Sequence, residues 1–191
     1  MKEMKCILLL IVMTLLLSAC GNKEENDLSE KTDEIAEEIP EESTEPVKIF
    51  GVFDTQTLDG ENVTEEIFAN ADLTMVNIWG TFCGPCISEM PDLGEISREY
   101  KDQGLQIVGM LCDVTEPEDE TALKIVGETK ADYVHLIASE DLTINVLQYV
   151  SSVPTTVFVD KDGNLVGEVY AGARDKVAWE LIINKYLAEV Q

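Results

Sequence analysis

Residues 79–86 read WGTFCGPC, in which two cysteines, Cys83 and Cys86, stand two residues apart. They follow a continuous apolar run, LTMVNIWG at 73–80, and precede CISEMPDLGEISREYKD, where apolar residues recur at helical spacing. A continuous apolar run is typical of a strand covered on both faces. The cysteines are therefore predicted to lie where a buried strand ends and a helix begins. By itself this pair could bind a metal, link two parts of the fold or exchange electrons.

Strand and helix patterns alternate on both sides of this junction. Residues 49–64 alternate around an Asp59-Gly60 turn and predict a β-hairpin. Further strands are predicted at 105–112, 133–138, 155–160 and 165–172, and further helices at 117–131, 142–150 and 175–190. The last helix is expected to bury a face containing Val177, Leu181, Ile182 and Leu187. This order predicts an α/β fold, a three-layer α/β/α sandwich with a mixed central sheet and an added N-terminal β-hairpin.

The N-terminal residues have the pattern of a secretory signal. Lys2 and Lys5 precede the apolar run CILLLIVMTLLLSAC, which ends in small residues before Cys20. LSAC at 17–20 resembles a bacterial lipobox, which implies a signal peptide at 1–19 and lipidation of Cys20. An ordinary signal peptide or an uncleaved anchor remain the alternatives.

Residues 20–48 are rich in Glu and Asp and poor in large apolar side chains, so we expect a disordered tether before a globular domain at 49–191. The whole chain has 13 basic and 38 acidic residues, a formal net charge of −25. This negative net charge disfavours binding to nucleic acid, and it also disfavours binding to anionic lipid through a cluster of basic residues.

The cysteine count limits the role of the pair. With Cys6 removed and Cys20 lipidated, Cys83, Cys86 and Cys112 remain. Structural zinc needs four ligands, and the chain offers only one further cysteine and a single histidine, His135. A Cu(I) site using both thiolates and His135 stays conceivable. A structural disulfide across so short a loop would remove little entropy from the unfolded chain.

Redox exchange explains the sequence around the two cysteines better than metal binding or a structural disulfide does. A helix N-terminus offers unpaired N–H groups and the positive end of the helix dipole, which favour a thiolate. Pro85 in the first turn loses no needed hydrogen bond, and Cys86 returns to the side of Cys83. We therefore expect an exposed attacking sulfur on Cys83 and a more buried resolving sulfur on Cys86.

WGTFCGPC, VPTT at 153–156, DKDGNLV and the terminal helix together resemble the thioredoxin superfamily over about residues 50–190. NIWGTFCGPCISEMP more narrowly resembles its TlpA/ResA branch of extracytoplasmic thiol–disulfide oxidoreductases. That branch has Cys-x-x-Cys-x-x-Glu-x-Pro, matched here by Cys83, Cys86, Glu89 and Pro91. The resemblance implies a redox-active Cys83–Cys86 disulfide that exchanges with substrate proteins and needs no bound cofactor or metal.

The resemblance also implies roles for individual residues. Glu89 would exchange a proton with the resolving thiol, provided that burial raises its pKa. Pro154 would form a cis peptide with Val153 beside the attacking sulfur, and Val153 would pair with a substrate strand. Trp79 would line the site, although core packing explains it equally well.

Three residues stand apart from this pattern. Phe82 replaces the Trp that precedes the first cysteine of cytoplasmic thioredoxin, and Asn77 replaces its buried Asp, which favours Glu89 as the proton-handling group. For Cys112, we expect a small buried side chain without a catalytic part.

The resemblance finally implies partners and a location. Substrates would be disulfides of extracytoplasmic proteins, and electrons would come from a membrane donor of the CcdA/DsbD type. A lipid anchor would hold the protein on the extracytoplasmic face of a bacterial membrane. The neutral residues around the cysteines favour a reductase; a thiol oxidase, a Cu(I) metallochaperone and an inactive scaffold are the alternatives.

Overall fold

A computed structural model describes residues 46–191. The predicted signal peptide (1–19), Cys20 and nearly all of the predicted tether (20–48) lie outside these residues. Within 46–191, no helix combines the length and the apolar character that crossing a bilayer requires.

The elements alternate much as the sequence predicts. In chain order they are β1 (Asp54–Gln56), β2 (Asn62–Thr64), a 3-10 helix (Glu65–Asn70), β3 (Leu73–Trp79), α1 (Gly84–Tyr100), β4 (Leu105–Leu111), α2 (Glu120–Thr129), β5 (Val134–Leu136), α3 (Glu140–Asn145), β6 (Thr155–Asp160), β7 (Leu165–Ala171) and α4 (Lys176–Val190). Shorter 3-10 turns follow α1 and α3.

The central sheet has the order β5-β4-β3-β6-β7. β3 pairs parallel with β4 and antiparallel with β6, and β7 is antiparallel to β6. The last residues of β3, β4 and β7 therefore meet the first residues of β6 at one end of the sheet. This end, where β3 leads into α1, is the cysteine end of the domain.

Both faces of the sheet are covered. Residues of α1 and α4 pack on one face around Met75, Phe158 and Trp179, and α2 packs against α1 on the same side. The other face is covered by α3, the first 3-10 helix and the segment before β1, which contribute Leu142, Ile67, Phe68, Phe50 and Phe53. The predicted three-layer α/β/α sandwich with a mixed sheet is confirmed.

The predicted N-terminal hairpin is confirmed as well. β1 and β2 pair antiparallel, with Thr55 opposite Val63. The hairpin joins the edge of the main sheet through an isolated bridge between Thr57 and Leu136. Before the hairpin, the carbonyl of Val47 accepts a hydrogen bond from the N–H of Leu165 at 2.8 Å. Leu165 begins β7, so this contact lies at the end of the sheet opposite the cysteine end.

Two helix predictions are corrected by the structure. Val177 and Leu181 on α4 are 67% and 71% exposed, whereas its buried residues are Trp179, Ile183, Tyr186 and Leu187. The helix predicted at 142–150 instead ends at Asn145 and continues as a separate 3-10 turn, because Val146 has a non-helical φ of −130° and ψ of −59°.

Candidate active site

Cys83 and Cys86 form a disulfide at the start of α1. Two hydrogen bonds hold the loop that leads to them. The N–H of Cys83 donates to the carbonyl of Gly80 at 3.0 Å, and the N–H of Thr81 donates to Asp113 Oδ2 at 3.0 Å. Since Asp113 lies just after β4, the neighbouring strand positions the loop.

Cys83 is the N-cap residue of α1. The N–H of Cys86 points at Cys83 Sγ from 3.2 Å, and Pro85 occupies the first turn, where its missing N–H leaves no carbonyl unpaired. The first turn carries no acidic side chain. The helix end therefore supplies one directed N–H and its dipole to Cys83 Sγ, which lowers the free energy of a thiolate there.

The two sulfurs differ in exposure by less than the sequence suggests. Cys86 is fully buried, as expected, but Cys83 is only 5% exposed. The backbone of Val153 covers it: the Val153 carbonyl oxygen lies 3.5 Å from Cys83 Sγ. Beside the pair, the Phe82 side chain is 72% exposed, so Phe82 forms an open apolar surface next to Cys83.

The Val153–Pro154 peptide is cis, as the resemblance implies. The N–H of Gly172 donates to the Pro154 carbonyl at 2.8 Å. This hydrogen bond connects the proline loop at the start of β6 to the loop between β7 and α4.

Trp79 lies behind the disulfide and has no exposed surface. Its indole N–H donates to His135 Nδ1 at 3.2 Å, and His135 Nε2 lies 2.8 Å from the carbonyl of Ala131. These partners assign the neutral tautomer protonated on Nε2, and burial lowers the pKa of His135 to about 4. In this oxidised form, Trp79 supports the disulfide from the core and reaches no surface at which a substrate could bind.

Glu89 is 3% exposed and lies one turn after Cys86 on the buried side of α1. Its carboxylate accepts three N–H groups. Asn77 Nδ2 donates to Oε1 at 2.9 Å, and the backbone N–H of Arg174 and the indole Nε1 of Trp179 donate to Oε2 at 3.0 and 3.3 Å. Asn77 Nδ2 also lies 3.0 Å from Thr156 Oγ1. Asn77 thus occupies the buried position as a partner of Glu89.

Burial raises the pKa of Glu89 above its ordinary value of 4.5, and the three hydrogen bonds and the Arg174 charge only partly oppose this rise. A raised pKa brings the carboxyl closer to the range in which it can both take and return a proton.

Cys112 directly follows β4, and its N–H donates to the Trp79 carbonyl at 2.9 Å. The thiol is free and half-buried. Its sulfur lies against Gly80, because a Cβ on Gly80 would approach Cys112 Sγ to 3.1 Å. Burial and the neighbouring Asp113 raise the pKa of Cys112, which disfavours the reactive thiolate.

Metal binding finds little support in the geometry. Residues 46–191 contain no group of three or more His, Cys, Asp and Glu side chains arranged to hold an ion. Both nitrogens of His135 already have partners, so His135 is not free to complete a Cu(I) site with the two cysteines.

Sequence reasoning missed Arg174 and Trp179 as partners of Glu89. The contact between Trp179 and Glu89 spans 90 residues, and no motif or spacing near either residue indicates it. The only available signal was a tryptophan within a terminal helix that is otherwise mostly aliphatic.

Comparison with known proteins gives consistent likenesses. A family model described as Redoxin matches residues 36–177. A thiol-disulfide oxidoreductase ResA of Bacillus cereus is 33% identical over 95 residues, 49% of this chain and 52% of that protein. A second, of Halalkalibacterium halodurans, is 27% identical over 132 residues, 68% of this chain and 71% of that protein. The chain thus matches about half the length of the first relative.

Among solved structures, a thiol:disulfide interchange protein of the thioredoxin family from Chlorobium tepidum superposes with a TM-score of 0.62 at 25% identity, covering 74% of this chain and 95% of that one. The predicted thioredoxin fold is confirmed.

Proposed function

This chain belongs to the Redoxin family, and on that basis we propose that it is a thiol–disulfide oxidoreductase that reduces disulfides of extracytoplasmic proteins. One observation carries the proposal: a disulfide at a helix N-terminus joins Cys83, next to the Val153 carbonyl and an exposed aromatic ring, to the fully buried Cys86. The names of the relatives, both thiol-disulfide oxidoreductases, support the same reaction.

The reaction begins with the reduced pair. The Cys83 thiolate attacks one sulfur of a substrate disulfide, forms a mixed disulfide and releases one substrate thiolate. Cys86 then loses its proton to Glu89 and attacks the Cys83 sulfur, which releases the second substrate thiolate. Two electrons pass to the substrate, and the pair ends as the Cys83–Cys86 disulfide, the form present in the structure.

The direction of exchange depends on how strongly Cys83 is stabilised as a thiolate. Over-stabilising the attacking thiolate makes a pair oxidising: the oxidant DsbA has a potential of about −120 mV, against about −270 mV for thioredoxin. Gly84, Pro85, Ile87 and Ser88 add no positive charge around the pair, and the chain as a whole has a net charge of −25. Both features disfavour extra thiolate stabilisation and support a reductase.

We place the protein on the extracytoplasmic face of a bacterial membrane, held by lipid on Cys20 and reduced again by a membrane donor of the CcdA/DsbD type. The LSAC sequence and the acidic residues after it support this part of the proposal.

The sharpest test is to remove the resolving thiol. Cys86→Ala should accumulate substrates as mixed disulfides on Cys83, which can be captured under non-reducing conditions. The matched control, Cys83→Ala with Cys86→Ala, keeps Cys112 and should capture nothing. Equal capture by both variants would contradict the assignment of Cys83.

Equilibration against glutathione buffers measures the reduction potential of the Cys83–Cys86 pair and so tests the direction of disulfide exchange. A potential near −270 mV would support a reductase. A potential near −120 mV would assign the protein as an oxidase instead.

A further inference from the structure

The Glu89 carboxylate has four sites at which its lone pairs can accept hydrogen bonds. Oε2 uses both of its sites, for the N–H of Arg174 and the indole N–H of Trp179. Oε1 uses one, for Asn77 Nδ2. One acceptor site of the carboxylate therefore stays open, and it is on Oε1.

The donors on Oε2 come from the C-terminal part of the chain. Arg174 lies in the loop between β7 and α4, and Trp179 lies in the first turn of α4, whose N-cap Asp175 accepts the N–H of Ala178 at 2.9 Å. Since Glu89 is on α1, a helix distant in sequence determines which carboxylate oxygen can hold a proton.

The indole ring of Trp179 is rigidly placed. It is fully buried, its centroid lies 5.9 Å from that of Tyr170 and 6.3 Å from that of Phe158, and the Arg174 guanidinium lies 5.1 Å from it. The same guanidinium lies 4.9 Å from the Tyr170 ring. Packing on several sides fixes the direction of the indole N–H toward Oε2.

We propose that Trp179 is a positioning residue of the redox reaction: its indole N–H, together with the N–H of Arg174, fixes Glu89 and leaves Oε1 as the atom that exchanges a proton with Cys86. The inference rests on the proposed function, since it assigns the geometry of the proton transfer in the resolving step. In that step the Cys86 S–H proton moves to Oε1, and the resulting thiolate attacks Cys83.

The indole N–H has a second, measurable effect. It stabilises the ionised carboxylate and opposes the effect of burial on the pKa of Glu89. The other charged or titratable groups that interact with Glu89 are Arg174 from the β7–α4 loop and Tyr133 from the segment before β5. Because the Arg174 guanidinium lies 5.1 Å from the Trp179 ring, a replacement that keeps the shape of this ring leaves the Arg174 charge in place.

The experiment removes the indole N–H in two ways. Trp179→Phe removes the N–H donor and also some of the packed volume of the ring. Benzothienylalanine at position 179 replaces the N–H by sulfur with almost no change of shape. Phe158→Leu is the matched control, because it removes volume next to the same ring without touching Glu89.

The first readout is the titration of the Glu89 carboxyl carbon by NMR in the oxidised protein. Loss of one hydrogen bond to the ionised form should raise the midpoint by roughly 1–2 pH units in both Trp179 variants. Phe158→Leu should titrate like the wild type. A wild-type midpoint in both Trp179 variants would overturn the proposal.

The second readout is the pH profile of the resolving step, measured as release of a model substrate from the mixed disulfide. The Trp179 variants should shift this profile in the same direction as the titration. In a Glu89→Gln background, Trp179→Phe should cause no further shift, because the indole acts through Glu89. An equal shift with and without Glu89 would show that Trp179 acts only through packing, and would refute the positioning role.

The two readouts separate this inference from the proposed function, because the carboxyl titration requires no substrate. A shifted titration in a protein that exchanges no disulfides would refute the proposed function and, with it, a redox role for the contact.

Discussion

Gly94 should determine whether α1 can keep its position over the sheet. α1 carries both Cys86 and Glu89, and at Gly94 it packs directly on the backbone between α2 and β5. A Cβ added at Gly94 would lie 2.3 Å from the Lys130 carbonyl oxygen and 3.1 Å from its carbonyl carbon. Gly94→Ala is therefore expected to destabilise the domain, although alanine is the better helix former.

The opposing backbone cannot retreat easily. Lys130 has a left-handed φ of 55° at the C-cap of α2, and its carbonyl accepts a hydrogen bond from Arg98 Nη1 at 3.0 Å. Forcing a methyl group into such a contact typically costs about 1–3 kcal/mol, whereas replacing Gly by Ala inside a helix stabilises by about 0.5–1 kcal/mol. We expect a net loss of about 1–2 kcal/mol in the free energy of unfolding.

The chain offers a matched control in Gly127, inside α2, where nothing lies within 4 Å of an added Cβ. Gly127→Ala should stabilise by about 0.5–1 kcal/mol. Urea unfolding of the oxidised proteins measures both changes. If Gly94→Ala proves as stabilising as Gly127→Ala, that result would contradict the close packing of α1 on the segment between α2 and β5.

Three further predictions test other parts of the molecule. Cys112→Ser should keep wild-type disulfide exchange, because the half-buried thiol has a raised pKa; a disulfide involving Cys112 during turnover would contradict this. His135, whose folded pKa of about 4 lies below its ordinary 6.5, binds its proton more weakly in the folded than in the unfolded state, so stability should fall as the pH drops from 6.5 to 4. The loss, on the order of 2–3 kcal/mol in chemical unfolding, should be largely absent in His135→Gln, and an equal loss in both proteins would exclude His135 as its source. Cys20→Ala should release the protein from membranes or leave it unprocessed, and unchanged membrane association at an unchanged mature mass would refute lipidation.

The arrangement of the candidate site was predictable because its sequence signals are local. Cys83, Cys86 and Glu89 lie within seven residues on one strand-to-helix junction, and spacing alone places Cys86 and Glu89 on one side of α1. The resemblance places the Val153–Pro154 peptide beside Cys83, but the small exposure of Cys83 depends on how closely the Val153 carbonyl approaches the sulfur, and the sequence does not give that distance.

The buried face of α4 shows the limit of hydrophobic periodicity. Apolar residues occur almost all round this helix, so more than one face satisfies helical spacing. The structure buries the face with Trp179 and Ile183, because Trp179 meets both Phe158 of the sheet and Glu89 of α1. Knowing that Trp179 is a partner of Glu89 would have identified the buried face of α4, but only the folded chain brings these two residues together.

The hydrogen bond between Val47 and Leu165 has a mechanical consequence. A strand rises about 3.3 Å per residue, so the seven residues of β3 separate this rear contact from the disulfide by roughly 20 Å. A pull on the chain before Val47 would therefore act at the end of the sheet opposite the cysteine end, away from the start of α1. The proposed exchange with a substrate at the cysteine end and such a pull on the chain would thus act on opposite ends of the domain.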